Sequence, residues 1–209
     1  MAVKTVRVVD PFSGGTPRHA AGVFGMWLFL ATLAVLFLTT MLGYLVVRWN
    51  PDPVEPFRPD GSPGLPHLLL ASTAALLASS GTMHATVRSV RSGRREQASR
   101  WAGLTLILAI LFLAVQAWAW LELWRRQLRI DESLYAWTFY VLTGLHAAHV
   151  LGGLIPLWLV WRRAGAGRYS PQHPEGVVYC AMYWHFLDAV WLALYATLWL
   201  GSLTWSAGS

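Results

Sequence analysis

His185 and Asp188 are one helical turn apart, near the middle of an apolar stretch at residues 177–200 that is long enough to cross a bilayer. A carboxylate at that depth is disfavoured by roughly 2.5–3.5 kcal/mol on insertion scales, so a chain that keeps one normally uses it or pairs it. Intramembrane Asp and His side chains relay protons, ligate cofactors or lock helices together through hydrogen bonds. The pair is therefore a candidate site, and Asp188 needs a partner.

A second pair of histidines can supply that partner. His146 and His149 lie in the preceding apolar stretch, and at ~1.5 Å per residue they reach about the same depth as His185 and Asp188. Consecutive antiparallel helices can be neighbours, so we expect His149 to satisfy Asp188, with His185 or Tyr183 completing the group. The predicted structural polar cluster consists of His146, His149, His185 and Asp188.

Other polar residues follow one helical face of an earlier apolar stretch. Thr73, Ser80 and His84 recur at spacings of seven and four residues, which places them on the same side of a helix. We expect this face to look into the protein, because a polar face turned to lipid is unfavourable.

Catalytic and cofactor-binding roles have less support. There is one intramembrane carboxylate and no Glu-x-x-His pair, which disfavours a di-metal site, and no Ser/His/Asp arrangement has supporting context. The count of histidines leaves a haem site open, although buried histidines are more often hydrogen-bonded structural groups. A complete proton path is disfavoured because two of the apolar stretches have almost no titratable group. We expect no catalytic, cofactor-binding or metal-binding residue in this chain.

Composition places the chain in the membrane. Of its 209 residues 56% are hydrophobic and 12% are charged, and 13 are Trp, a balance that soluble domains do not need. The single cysteine, Cys180, excludes an internal disulfide. The net charge of +6 is explained by topology-determining loops, so nucleic acid is not an expected partner.

The apolar stretches predict an all-α, polytopic helix bundle with five membrane-spanning helices. A cytoplasmic N-terminal tail at residues 1–21 precedes a single transmembrane domain at residues 22–209. The predicted helices cover residues 22–48, 65–88, 101–124, 134–161 and 177–203.

Charge sets the predicted orientation. Most Lys and Arg residues fall in the tail and in the connections 88–100 and 162–176, so the positive-inside rule places the N-terminus in the cytoplasm and the C-terminus outside. Four of these arginines are positioned to contact anionic lipid head groups, although setting topology is a sufficient reason for them. They are Arg88, Arg91, Arg94 and Arg95.

Two segments resemble subunit III of the haem-copper respiratory oxidases. Residues 139–153, FYVLTGLHAAHVLGG, resemble the fourth-helix pattern of that family in its short, five-helix bacterial form, and residues 183–201, YWHFLDAVWLALYATLWLG, resemble its final helix. Weaker matches are GMWLFL at residues 25–30 and LLASSGT at residues 76–82. The resemblance covers nearly all of the chain from Gly25.

The resemblance implies a non-catalytic, multi-pass subunit in a bacterial inner membrane. Subunit III packs on subunit I, which holds the haems and copper, and it stabilises the complex, supports proton uptake and oxygen access, and holds phospholipid. The cofactors are thus expected in the partner subunit and not in this chain. Subunit I, other oxidase subunits and membrane lipids are the expected partners, and aerobic respiration is the expected process.

Two positions depart from the family pattern. Leu33 and Ala119 stand where the family usually has glutamate, so no role of those carboxylates carries over. The losses leave open an accessory subunit of a related nitric oxide reductase, and the histidines leave open a free-standing membrane cytochrome. The electron donor, cytochrome c or quinol, is handled by other subunits and leaves no mark on this sequence.

Overall fold

Five long helices account for nearly all of the residues that the structure describes. The computed structural model describes residues 15–49, 68–125 and 134–203, so most of the predicted tail and the predicted helix start at residues 65–67 lie outside the described residues. The helices are α1 Gly15–Arg48, α2 Leu68–Arg91, α3 Arg95–Arg125, α4 Leu134–Gly165 and α5 Glu175–Leu203. All five are long and apolar enough to cross a membrane, and no strand occurs in the described ranges. The predicted all-α fold with five spanning helices is confirmed; the orientation of its termini stays a prediction.

The connection between α2 and α3 is shorter than the basic loop predicted at residues 88–100. Gly93 adopts φ 69°, and the amides of Gly93 and Arg94 donate to the carbonyls of Val90 and Ser89 at 3.0 and 2.9 Å. This paired bonding is the Schellman arrangement, which ends a helix at a left-handed glycine. Since α3 then begins at Arg95, most of the predicted loop is helical. The same arrangement ends α4 at Gly167, with φ 65°.

Helix α5 is the centre of the bundle. It packs against α1, α2 and α4, while α3 packs against α2 and α4. Half of the spanning window of α5 is buried inside the protein, against 11% for α1. Helix α1 joins the bundle mainly through α5, where the ring of Phe29 stacks on that of Tyr183 with centroids 6.0 Å apart.

A glycine allows α4 and α5 to approach closely. A Cβ atom built at Gly153 would lie 2.9 Å from Tyr183 Cε1 and 3.4 Å from Trp184 Cζ3. The Tyr183 ring has little room to withdraw, because its hydroxyl donates to the carbonyl of His149 at 3.0 Å and its face stacks on Phe29. The neighbouring Gly152 is exposed and meets nothing within 4 Å. Gly153 therefore has no room for a side chain, whereas the neighbouring Gly152 has.

We predict that Gly153→Val destabilises the protein and that Gly152→Val does not. Overpacking at Gly153 is expected to cost about 1–3 kcal/mol. The buried Cys180 is the only thiol in the chain, so the temperature at which a thiol-reactive fluorophore labels it in detergent reports unfolding. A lower midpoint for Gly153→Val alone is the expected result. Equal midpoints for the two variants would contradict the close approach.

Candidate functional site

Hydrogen bonds between side chains join α2 to α5 across the membrane interior. Ser80 Oγ lies 2.8 Å from His185 Nδ1. One residue earlier on each helix, the indole N–H of Trp184 donates to Ser79 Oγ at 3.0 Å. Two turns further along α5, a second indole makes the same type of bond, from Trp191 to Thr73 Oγ1 at 2.9 Å. These three contacts form a ladder along the helix pair.

Both indoles in this ladder are buried, and the sequence-based interpretation did not include them. Trp184 and Trp191 are each 1% exposed, and Ser79 is fully buried. A buried indole N–H needs an acceptor, so a tryptophan in the middle of a spanning helix is the signal that could have identified these contacts. Thr73 and Ser80 look inward as expected. His84 is exposed on the outer surface of α2, so its predicted inward position was wrong.

Asp188 pairs with its own helix and not with α4. Its side chain is 7% exposed, and Oδ2 lies 3.7 Å from His185 Nδ1. That separation is within ion-pairing range but too long for a hydrogen bond. Neither carboxylate oxygen receives a hydrogen bond from any residue that the structure describes. The hydrogen bond expected between His149 and Asp188 is thus not formed.

His149 uses its own helix and contacts α5 through its backbone. Its Nδ1 lies 2.7 Å from the carbonyl of Leu145, so Nδ1 carries the proton and donates. The His149 carbonyl accepts from Tyr183, and the imidazole packs against Phe37 on α1, with ring centroids 5.0 Å apart. His149 and Tyr183 therefore link α1, α4 and α5.

His146 occupies an aromatic enclosure. It is fully buried, with its ring centroid 5.1 Å from that of Trp191, 5.9 Å from Phe112 and 6.2 Å from Phe37. Neither ring nitrogen has a hydrogen-bond partner among the described residues. The four predicted residues therefore do not form one bonded cluster: His185 and Asp188 face α2, His149 faces α1 and α5, and His146 packs among rings of three helices.

A metal centre has no support in the described part of the chain. No three His, Cys, Asp or Glu side chains in the ranges 15–49, 68–125 and 134–203 converge closely enough to hold an ion. Leu33 and Ala119, where the sequence lacks the glutamates of the family that it resembles, have no side-chain oxygen that could bind a metal. Ala119 is fully buried in α3, and Leu33 is partly buried in α1.

The predicted arginine group is exposed at one end of the bundle. Arg88, Arg91 and Arg94 lie on the surface, whereas Arg95 donates from Nη2 to the Gly165 carbonyl at 2.7 Å and so ties α3 to the end of α4. Beside this contact is a groove of about 680 Å³ between α3 and α4. It is lined by Arg95, Glu96, Ser99, Arg100, Gly103, Leu104, Ile107, Trp161 and Gly165. Glu96 and Arg100 on its rim are 3.6 Å apart and almost fully exposed.

The sequence is similar to known proteins over most of its length. A family model described as Cytochrome c oxidase subunit III matches residues 18–203. The chain is 35% identical to Cytochrome c oxidase subunit 3 of Synechocystis sp. (strain ATCC 27184 / PCC 6803 / Kazusa) over 195 residues, which cover 88% of this chain and 81% of the relative. It is 34% identical to the Gallus gallus protein of the same name, covering 90% of this chain and 73% of the relative. It is 30% identical to Probable cytochrome c oxidase subunit 3 of Nocardia farcinica (strain IFM 10152), covering 83% and 85%.

We predict that the contribution of Asp188 to the free energy of unfolding is coupled to that of His185 and not to that of His149. In double-mutant cycles of the free energy of unfolding, Asp188→Asn and His185→Ala should deviate from additivity by about 1–3 kcal/mol, because the two side chains lie 3.7 Å apart and residues this close usually do not contribute independently. Asp188→Asn and His149→Ala should be additive within about 0.5 kcal/mol. The His149→Ala variant is a matched control, since the carbonyl that accepts from Tyr183 is retained. Strong coupling to His149 instead would contradict this prediction and support a direct pairing of His149 on α4 with Asp188 on α5.

Proposed function

Because this chain belongs to the cytochrome c oxidase subunit III family, we propose that it is a non-catalytic subunit of a haem-copper terminal oxidase, packed on the subunit that holds the haems and copper. It is a multi-pass membrane protein of a multi-subunit oxidase complex. We place that complex in a bacterial inner membrane, where it reduces oxygen in aerobic respiration. The names of the relatives do not favour a nitric oxide reductase or a free-standing cytochrome.

The observation that carries this proposal is how the intramembrane polar side chains are used. Thr73, Ser79 and Ser80 bond to residues of α5, and the hydroxyl of Tyr183 bonds to α4. Hydrogen bonds of this kind stabilise pairs of membrane helices by about 0.6 kcal/mol each, and up to ~1.7 kcal/mol. Residues committed to holding helices together support a scaffold role. The described residues also hold no cluster that could ligate a metal.

Support for proton uptake and oxygen access is proposed as an indirect effect. The chain lacks the two family carboxylates, with Leu33 and Ala119 at those positions. We therefore propose that proton transfer takes place in the neighbouring subunit and that this chain keeps the surface of that subunit in place. His146, His149, His185 and Asp188 act as structural residues in this proposal. The three histidines pack or bond against neighbouring helices, whereas Asp188 lies 3.7 Å from His185 on its own helix, and none of the four belongs to a metal-binding cluster among the described residues.

We also propose that the exposed arginines lie at the cytoplasmic surface and contact phospholipid. Arg88, Arg91 and Arg94 end α2 and its turn, where an anionic head group would meet them. The groove between α3 and α4 combines arginines at its rim with Leu104 and Ile107 deeper in the span. Such a combination suits a lipid that places its phosphate at the surface and an acyl chain along the helices.

Purification of a tagged chain in mild detergent tests the proposed function. We expect a haem-copper subunit to co-purify, with a Soret band in the intact complex that stays with that subunit when the tagged chain is dissociated by stronger detergent. The dissociated chain should show no haem absorbance, because haem belongs to the partner. A Soret band in the separated chain, or its isolation without any partner in mild detergent, would contradict the proposal.

A further inference from the structure

Three side chains of α3 and α4 carry buried polar atoms that lack hydrogen-bond partners. Gln116 on α3 is 2% exposed, and His146 on α4 is fully buried. Neither amide atom of Gln116 and neither ring nitrogen of His146 is bonded within the described residues, and the same holds for the buried indole N–H of Trp120. A buried polar group left unpaired is unfavourable, so native proteins pair nearly all such groups with protein atoms or with ordered water. Together the three side chains point to a ligand that bonds to them.

Ring contacts on either side of Gln116 fix the register of α3 against α4. The ring of Phe112, one turn before Gln116, has its centroid 5.9 Å from that of His146. The ring of Trp120, one turn after Gln116, has its centroid 6.2 Å from that of Tyr140. Phe112 and Gln116 both belong to the buried face of α3. Gln116 therefore lies between the two contacts, opposite the part of α4 that separates Tyr140 from His146.

Small residues surround this level of the helix pair. Ala119 on α3 is fully buried and has no polar side-chain atom. On α4, the position of Gly144 faces Trp120, since a Cβ atom built there would lie 3.8 Å from Cη2 of that ring. The buried hydroxyl of Thr143 donates its proton to the carbonyl of Phe139 at 2.7 Å, so its oxygen can still accept a hydrogen bond. Two of these positions thus offer no side-chain partner to the unpaired atoms, and Thr143 adds an acceptor for a ligand.

We propose that this level is a buried hydration site, in which ordered water bridges the Gln116 amide and the His146 imidazole and accepts from the indole N–H of Trp120. An amide and a neutral imidazole each contain both a donor and an acceptor, and an indole contains a donor. Water matches this mixture, because it donates and accepts, and a buried water typically makes about three hydrogen bonds to otherwise unpaired groups. A metal ion does not fit, because the described residues contain no group of three ligating side chains. The site goes beyond the proposed function and does not depend on it.

X-ray radiolysis of the full chain, purified in mild detergent and exposed in isotopically labelled water, tests the site. Hydroxyl radicals formed from an ordered water oxidise the side chains beside it, and mass spectrometry locates the added oxygen. Phe112 and His146 should be oxidised although both are fully buried. Trp184 is the control and should stay unmodified, because it is only 1% exposed and its indole already donates to Ser79. Oxidation of Trp184 to the same extent as the other two, or of none of the three, would overturn the proposal.

A double-mutant cycle gives a second readout. Water that bridges two side chains couples them, so Gln116→Leu should lower the temperature midpoint of Cys180 labelling in the unmodified chain, and this loss should be absent in a His146→Phe background. The matched control combines His146→Phe with Ser79→Ala, which removes the acceptor of Trp184 on α2, and these two should be additive. Equal shifts for Gln116→Leu in both backgrounds would contradict the bridge. The radiolysis is carried out on the unmodified chain, so it still tests the site if a variant does not fold.

Discussion

Backbone polar groups within the hydrocarbon core must find their hydrogen-bond partners inside the protein, and polar side chains there are stabilised by doing the same, which favours particular helix pairs in this chain. Backbone groups find their partners by forming helices. Side chains find theirs mainly at α5, where two indoles and one imidazole bond to hydroxyl groups of α2 and a phenol bonds to α4. Removing α5 would leave donors and acceptors unpaired on both neighbours. Its central position follows from this chemistry more than from its hydropathy, which is lower than that of α1.

Number and type of helices were predictable, because length and hydropathy alone determine whether a segment can cross a bilayer. Helix pairing was less predictable. Depth along the membrane can be counted from a sequence, and it placed His149 level with Asp188. The direction in which each side chain points around its helix depends on how the helices are rotated against one another, which no count supplies. Asp188 turned toward α2, while His149 bonded to Leu145 on its own helix.

The sequence was also incomplete as a guide to acceptors and turns. Thr73 and Ser80 were predicted to look inward from their spacing, but their tryptophan and histidine partners were not, since an indole is read first as an apolar or interfacial group. A strongly basic segment at residues 88–100 suggested a loop, whereas a single left-handed glycine, Gly93, reverses the chain within a few residues. His84 faces outward, although its spacing from Thr73 and Ser80 predicted an inward position, because the rotation of α2 within the bundle places it on the outer surface.

Ala119, which stands where the family that the sequence resembles has glutamate, illustrates the same constraint on buried polar groups. Gln116 is one turn away on α3 and 2% exposed, and neither atom of its amide is bonded within the described residues. A glutamate at position 119 would place an acceptor on the same buried face of the helix, within reach of that amide. Alanine removes the cost of burying a charge and leaves the weaker cost of an unpaired amide, about 1–3 kcal/mol. Ala119 is fully buried against its neighbours, so this position contributes packing and no proton-binding group. This buried alanine is consistent with the proposed scaffold role.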